Sequence, residues 1–285
     1  MISTDVGLVV TRFAPSPTGR LHAGHAFSAI RAHDFARARG GGFLLRIEDI
    51  DPGRAREEFV AGIEEDLRWL GLHWDGDAIR QSARHDAYRA ALGALGSAGL
   101  LYPCFCTRAD IANAASAPHG PDGAVYPGTC RALDPVAREQ RMEREPHAWR
   151  IAMDRASAQT GPLYWQDSGR GEIAADPLRF GDVVLARKDA PASYHLAVTV
   201  DDAWQRVTDV VRGADLFEAT HIHRLLQALL GLPTPLYHHH PLLVDASGER
   251  LAKRRGSESL AELRARGVDA VMLAAALRRG EMPGL

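Results

Sequence analysis

The segment at residues 12–25, RFAPSPTGRLHAGH, holds residue types that suit phosphate chemistry. A helix N-terminus presents unpaired N–H groups and partial positive charge, and Gly24 would let a nucleotide approach the backbone closely. The imidazoles of His22 and His25 could donate hydrogen bonds to phosphoryl oxygens as charge develops on them. The segment predicts a nucleotide-binding loop, and the alternative is a turn that happens to contain two histidines.

A second loop, GERLAKR at residues 248–254, contains an unusual basic residue. The chain has 34 lysines and arginines, of which Lys188 and Lys253 are the two lysines. A compact ammonium on a flexible stem suits a moving phosphate better than a rigid guanidinium does. Lys253 is therefore a candidate catalytic residue, and the alternative is a chance lysine on a solvated loop.

The three cysteines, Cys104, Cys106 and Cys130, suggest a metal site. A disulfide is disfavoured in a reducing compartment, and Cys104 and Cys106 are too close in sequence to bridge comfortably. Three thiolates leave one tetrahedral position of a Zn²⁺ ion to fill, and His119 is the fourth ligand that the chemistry favours. The alternative is three small buried cysteines.

The elements that must position these residues alternate between strand and helix in the first part of the chain. We expect a strand at 8–13, a helix at 25–39, a strand at 43–47, and helices at 56–70 and 84–98. This alternation predicts an α/β fold with a parallel sheet. Residues 102–180 lose the pattern and are rich in Pro, Gly and polar residues, which indicates an inserted subdomain.

The strand and helix pattern resumes after the insertion. We expect strands at 183–185, 196–200, 210–212 and 241–244, and helices at 220–230, 258–266 and 268–279. The triplet at 238–240, three histidines, should line the nucleotide cleft, because consecutive residues rarely converge on one metal ion. The predicted divisions are a first catalytic half (1–101), the insertion (102–180), a second catalytic half with the lysine loop (181–257) and a helical C-terminal region (258–285).

Composition sets limits on the class of protein. The chain has 285 residues, 46% hydrophobic and 25% charged, enough to bury a substantial core. We expect a cytoplasmic protein, since there is no apolar run of membrane-spanning length and no signal peptide. A net charge of −2 is not that of a general nucleic-acid binder, so RNA contacts should depend on a local arginine patch. The candidates are Arg254, Arg255, Arg264, Arg266, Arg278 and Arg279, although a solvated helix face explains the last four equally well.

Two motifs together resemble those of a known family. HAGH at 22–25 and RLAKR at 250–254 are similar to the HIGH and KMSKS motifs of class I aminoacyl-tRNA synthetases, and RFAPSPTG at 12–19 and RIEDID at 46–51 resemble the glutamyl branch. The resemblance runs from about residue 10 to 255. It implies a Rossmann-like parallel sheet with a zinc-binding insertion, and activation of L-glutamate by ATP with Mg²⁺. Arg250 and Ala252 depart from the lysine motif, so turnover could be slower.

The resemblance also assigns roles to residues. It implies that the catalytic residues are His22, His25 and Lys253, which bind ATP together with Gly24. It implies that glutamate is bound by Arg12, Ser16, Glu48, Tyr194 and Arg212, and it leaves open which arginine holds the side-chain carboxylate. For the fourth ligand of a structural Zn²⁺, it favours Tyr126 over His119, alongside Cys104, Cys106 and Cys130.

Length suggests a particular member of this branch. Only 31 residues follow Arg254, whereas full glutamyl-tRNA synthetases carry an anticodon-binding region there. The chain therefore resembles the shortened members, which attach glutamate to the queuosine base in the anticodon of tRNA(Asp). We expect a monomer whose partners are L-glutamate, ATP and queuosine-containing tRNA(Asp). The alternatives are a short conventional synthetase that charges a tRNA 3′ end, a nucleotidyltransferase for small substrates, and a non-catalytic RNA-binding paralogue.

Overall fold

The fold is organised around a parallel sheet built from two blocks of strands. The computed structural model describes residues 8–107, 110, 119, 120, 123–243 and 258–281. In the first block β1 (Val10–Phe13) pairs with β2 (Gly42–Ile47), which pairs with β3 (Ile79–Arg80). In the second block β11 (Asp209–Gly213), β12 (Leu236–His240) and β8 (Tyr164–Asp167) are parallel, and β9 (Gly171–Ala174) is antiparallel to β8.

The two blocks meet at the edges of β1 and β11. The Val10 N–H donates to Thr208 Oγ1 at 2.8 Å, and the Thr208 N–H donates to the Val10 carbonyl at 3.0 Å. Such a junction between two halves of a parallel sheet is where ligands bind in open α/β folds. The predicted parallel sheet is confirmed.

Helix α1 (Ala23–Arg37) covers this junction and begins two residues earlier than expected, because His22 caps it. Its buried face is rich in alanine, which lets it pack closely on the strands. The chain then returns to β2 through Gly41, where an added Cβ would lie 2.2 Å from the Val9 carbonyl oxygen. Only glycine fits that close approach of two backbones.

The described residues form eight further α-helices. They are α2 (Glu57–Trp69), α3 (His85–Ser97), α4 (Pro135–Arg144), α5 (Met153–Thr160), α6 (Tyr194–Trp204), α7 (Ala219–Leu230), α8 (Leu260–Ala265) and α9 (Ala270–Arg278). The predicted C-terminal helices are confirmed as α8 and α9, which contribute Leu260, Leu273 and Leu277 to the core shared with α1. None of the helices in the described ranges is long and apolar enough to cross a membrane.

The insertion contains a separate antiparallel sheet. Its strands are β4 (Leu101–Cys104), β7 (Ala148–Ile151) and β10 (Val184–Ala186), and a separate short hairpin of β5 (His119–Gly120) and β6 (Gly123–Ala124) follows β4 in sequence. The strand expected at 183–185 therefore exists, but it pairs with the insertion. Conversely, β8 and β9 come from the segment assigned to the insertion and extend the parallel sheet. An apolar run predicts a strand but not its partner.

The strand expected at 196–200 is wrong, since this segment lies in α6. Ser193 caps the helix, and Leu196, Ala197, Val198 and Thr199 are all buried. A helix that is buried on every side has no polar stripe, so its apolar run cannot be distinguished from a strand by periodicity. The strand expected at 241–244 is also displaced: β12 ends at His240, and residues 241–243 are not in a strand.

Helix α6 is anchored by the fully buried carboxylate of Asp201. It accepts hydrogen bonds from Gln81 Nε2 at 2.9 Å, Arg84 Nε at 2.6 Å and Tyr88 Oη at 2.7 Å. Gln81 and Arg84 lie between β3 and α3, and Tyr88 lies in α3. One carboxylate thus fixes the position of α6 against two other elements.

We predict that Asp201→Asn lowers the free energy of unfolding by about 3–5 kcal/mol, because Arg84 would lose the charge that compensates its burial. The matched control is Glu64→Gln, which breaks the surface pair with Arg68 and should cost less than about 1 kcal/mol. Urea denaturation followed by circular dichroism measures both values. Equal losses in the two variants would contradict the anchoring role of Asp201.

Candidate active site

A cavity of about 560 Å³ opens at the carboxyl ends of β1 and β11, beside the start of α1. It brings together eight of the residues predicted from the sequence: Arg12, Ser16, His22, Gly24, His25, Glu48, Tyr194 and Arg212. Lys253 lies outside the described residues, as do Arg254 and Arg255.

His22 and His25 form a reciprocal cap at the N-terminus of α1. The Gly24 N–H donates to His22 Nδ1 at 3.1 Å, the His22 N–H donates to His25 Nδ1 at 3.2 Å, and the two rings lie 3.9 Å apart. Since both Nδ1 atoms accept hydrogen bonds, each neutral ring carries its proton on Nε2. The cap thus turns both histidines into Nε2–H donors beside a positively polarised helix end.

Arg12 lies in the cavity wall but is already paired with a carboxylate. Its Nε and Nη2 donate to the two oxygens of Asp202 at 3.0 and 3.3 Å. Arg46 also donates to Asp202, at 2.7 Å, and its side chain is fully buried. Burial opposes the ionisation of Asp202, yet the two guanidiniums hold its pKa below the usual value.

Arg212 faces only neutral acceptors in the described part of the chain. Its Nη2 donates to Thr220 Oγ1 at 2.6 Å, its Nε donates to His239 Nε2 at 3.1 Å, and its Nη1 lies 3.4 Å from His223 Nδ1. Burial and the charge of Arg212 lower the pKa of His239 to about 4, and they also depress that of His223. A buried cation without a carboxylate partner attracts an anion.

Glu48 is the acidic group of the cavity with a buried side chain, and the lining also includes the exposed Asp215. Its side chain is 8% exposed, and burial raises its pKa to about 7 although Arg46 and Arg12 act in the opposite direction. A positively charged ligand group would stabilise the ionised form. Glu48 can therefore bind a cationic group of a ligand in this cavity, and Arg212 can bind an anionic group.

Two hydroxyl groups and one glycine complete the predicted lining. Ser16 is exposed, and Tyr194 lies at the start of α6, where burial raises its pKa. Gly213 ends β11, and an added Cβ there would lie 2.5 Å from Asp215 Oδ1 and 2.9 Å from Leu242 Cδ2. A side chain at this position would crowd the cavity wall.

The histidine triplet only partly follows the prediction. His240 lines the cavity, whereas His238 and His239 line a neighbouring cavity of about 460 Å³, which His240 also borders. His238 Nε2 is bonded to Asp209 at 2.7 Å, and His239 Nδ1 to Asp167 at 2.7 Å. These two histidines thus contact strands of the sheet rather than forming the main lining of the cleft.

Sequence reasoning missed the residues that support the cavity. Asp202 and Arg46 are buried and form ion pairs around Arg12, but no role was predicted for either. The signal was the acidic pair at 201–202 directly after an apolar run. In the helix that this run forms, Asp202 pairs with the arginines of β1 and β2, whereas Asp201 accepts from Gln81, Arg84 and Tyr88.

The three cysteines form a second cluster, in the insertion. Their sulfur atoms lie within 4.8 Å of one another, so the group could hold a metal ion. Tyr126 Oη lies 3.7 Å from Cys106 Sγ, and the Phe105 N–H donates to Cys130 Sγ at 3.3 Å. Burial opposes ionisation of Cys130, but Tyr126 and this N–H lower its pKa. The side chain of His119 lies outside the described part of the structure.

The four described arginines of the expected RNA-binding patch all form ion pairs. Their partners are Asp66 and Glu65 for Arg264, Glu258 for Arg266, Asp34 for Arg278, and Glu281 for Arg279. These pairs fit the alternative reading of a solvated helix face. They leave the RNA-binding role of these arginines a prediction.

Comparisons with known proteins agree with the motifs and the fold. The family model for class I tRNA synthetases (E and Q), catalytic domain, matches residues 8–283. A glutamyl-Q tRNA(Asp) synthetase from Rhodobacter capsulatus is 53% identical over 91% of this chain and 96% of its own length. One from Nocardia farcinica is 47% identical over 88% of this chain and 78% of its own.

Solved structures show the same architecture. The glutamate-tRNA synthetase of Elizabethkingia anophelis superimposes with a TM-score of 0.75 at 28% identity, covering 88% of this chain. The chain spans about half of that protein, 53% of its length. Together with the family model and the curated relatives, this shows that the chain belongs to the glutamyl-Q tRNA(Asp) synthetase family of class I tRNA synthetases.

Proposed function

We propose that this chain activates L-glutamate with ATP and transfers the glutamyl group to the queuosine base in the anticodon of tRNA(Asp). The observation that carries the activation step is Arg212, a buried guanidinium that lines the cavity and has no carboxylate partner among the described residues. A substrate carboxylate would supply the missing charge. The reaction would take place in the cytoplasm, where ATP, glutamate and tRNA are present.

Glutamate would bind through complementary charges. Three of the five N–H groups of Arg212 have acceptors in the described structure, so two remain for the side-chain carboxylate. Arg12 would contribute less to this contact, because Asp202 holds two of its nitrogens. Glu48 would bind the ammonium, and the hydroxyls of Ser16 and Tyr194 would orient the amino acid.

ATP would bind at the start of α1, next to Gly24. The α-carboxylate oxygen of glutamate attacks the α-phosphorus, the bond to the pyrophosphate oxygen breaks, and glutamyl-adenylate and pyrophosphate form. The Nε2–H groups of His22 and His25 would stabilise the charge that develops on the phosphoryl oxygens. A Mg²⁺ ion that accompanies ATP would also stabilise this charge. Lys253 is assigned the same role because it occupies the position of the lysine in the sequence motif.

The second step needs a hydroxyl nucleophile. That hydroxyl attacks the carbonyl of the mixed anhydride, AMP leaves, and an ester forms. The cyclopentenediol of queuosine offers a vicinal diol similar to that of a terminal ribose, so a site suited to one could accept the other. The names of the relatives that match over most of the chain support queuosine tRNA(Asp) as the acceptor.

We further propose that the cysteine cluster holds a structural Zn²⁺ ion. Cys104, Cys106 and Cys130 supply three thiolates at compatible distances, and the hydroxyl of Tyr126 is close enough to be the fourth ligand. The ion would fix the ends of the segment between β4 and α4. It would lie in the insertion, apart from the residues proposed to act on ATP.

The first test removes the charge of Arg212. We expect Arg212→Gln to raise KM for glutamate at least thirtyfold, because loss of a buried charge partner costs about 2–5 kcal/mol. Glutamate-dependent exchange of labelled pyrophosphate into ATP measures this. Arg68→Gln, on the exposed face of α2, is the matched control and should behave as wild type.

Absence of glutamate-dependent exchange in the wild-type protein would refute the proposed activation step. If exchange occurs but Arg212→Gln retains the wild-type KM for glutamate, the assigned role of Arg212 is wrong. Discrimination against glutamine should weaken in this variant, because the neutral side chain no longer favours the acid over the amide.

The second prediction concerns pH. Since Glu48 has a pKa of about 7 in the free protein, it becomes protonated below pH 7 and loses its attraction for the substrate ammonium. We expect KM for glutamate at saturating ATP to rise about tenfold for each pH unit below 7 and to level off above 7. Glu48→Gln should show a high, pH-independent KM. A pH dependence that persists in this variant would assign the titration to another group.

The third prediction concerns the acceptor. Labelled glutamate is offered to queuosine-containing tRNA(Asp) with a trimmed 3′ end, to unmodified tRNA(Asp) and to tRNA(Glu). We expect label only on the trimmed, modified tRNA, because the base rather than the terminal ribose receives the glutamyl group. Labelling of intact tRNA(Glu) alone would instead make the protein a short conventional glutamyl-tRNA synthetase.

A further inference from the structure

Three side chains on neighbouring strands form a hydrogen-bonded row across the parallel sheet. Arg212 of β11 is in register with His239 of β12, and Asp167 of β8 pairs with β12 two residues earlier, at Tyr237. Arg212 Nε lies 3.1 Å from His239 Nε2, and His239 Nδ1 lies 2.7 Å from Asp167 Oδ2. The row starts at the cavity and ends in the interior of the sheet, where Asp167 is 3% exposed.

The chemistry of the three groups leaves one arrangement of protons. A guanidinium can only donate, so His239 Nε2 must accept from Arg212. The proton of the neutral ring is then on Nδ1, which donates to the Asp167 carboxylate. Asp167 therefore selects the tautomer of His239 that can accept from Arg212, by the same logic with which an aspartate orients a catalytic histidine.

The second oxygen of Asp167 is also occupied. Asp167 Oδ1 accepts the Gly169 N–H at 2.9 Å, within the tight turn between β8 and β9. The carboxylate cannot rotate without losing this bond. An amide at position 167 would keep its carbonyl oxygen toward Gly169 and turn its NH₂ group toward His239. Nδ1 of the ring would then accept, and Nε2–H would face Nε–H of Arg212, donor against donor.

We propose that Asp167 and His239 are positioning residues that hold the guanidinium of Arg212 in the orientation required for the substrate carboxylate. This inference rests on the proposed role of Arg212 in glutamate binding. Thr220 and His223 hold the other two nitrogens of Arg212, so the row through His239 fixes the Nε edge of the guanidinium. Neither residue of the pair lines the main cavity.

The kinetic test compares Asp167→Asn with wild type in glutamate-dependent pyrophosphate exchange. We expect KM for glutamate to rise roughly tenfold to a hundredfold, because a buried donor loses its acceptor, while kcat and KM for ATP stay within about twofold. A purely structural role would lower kcat or alter both KM values. An unchanged KM for glutamate in a folded Asp167→Asn variant would overturn the proposal.

A second variant distinguishes the tautomer from general damage. His239→Gln places a carbonyl oxygen toward Arg212 whatever stands at position 167, so it should retain glutamate binding better than Asp167→Asn. In the double variant, Asp167→Asn should cause no further rise in KM beyond that of His239→Gln. Additive rises would mean that Asp167 acts independently of His239, contrary to the proposal.

A spectroscopic test does not depend on activity. Nitrogen NMR of histidine-labelled protein reports which ring nitrogen of His239 is protonated, with His239→Gln used to assign the signals. We expect Nδ1–H in wild type and Nε2–H in Asp167→Asn. The same tautomer in both proteins would show that Asp167 does not select the tautomer of His239 and would refute the proposal. If the wild-type protein fails to exchange pyrophosphate with glutamate, the proposed function is wrong. The NMR measurement still shows whether Asp167 sets the tautomer of His239.

Discussion

The cost of burying guanidinium groups is the constraint on which the rest of this structure depends. Arg12, Arg46 and Arg212 all lie on strands of the parallel sheet and are at most 5% exposed. Removing such a charge from water costs several kcal/mol unless a partner compensates it. Asp202 of α6 compensates the charges of Arg12 and Arg46. These two arginines can therefore be buried in the sheet only if α6 packs in this position.

Arg212 differs from Arg12 and Arg46 because its described partners carry no negative charge, and this difference lets the cavity bind an anion. Its described partners are a hydroxyl and two imidazoles with low pKa values, which accept from three of its five N–H groups without neutralising its charge. The positive potential is thus preserved for a ligand. Glu48, with a pKa raised by burial, lies in the same cavity, so an amino acid with a carboxylate side chain would meet a negative group near its ammonium and a positive group near its side chain.

The sequence predicted the residues of the cavity better than it predicted the elements that support them. The strands and helices around residues 12, 22–25, 48 and 212 follow from the sequence pattern, and the resemblance of the motifs to those of class I synthetases points to these side chains, which the structure brings together in one cavity. The apolar run at 196–200 predicts a strand where α6 forms, because the buried residues of this helix lack a polar stripe, and the same error hides the role of Asp202. Strand pairing, as for β8 and β10, depends on tertiary contacts that a local pattern does not encode.

The histidine triplet illustrates how strand geometry separates neighbours in sequence. Successive side chains of β12 point to opposite faces of the sheet. His238 and His240 pack on Phe35 and Phe27 of α1, whereas His239 contacts Trp165 and Phe217 on the other face, where it accepts from Arg212. Three adjacent imidazoles therefore cannot converge on one metal ion here. Of the three histidines, the alternation leaves only His239 on the face of Arg212, where its tautomer decides whether it can accept from the guanidinium.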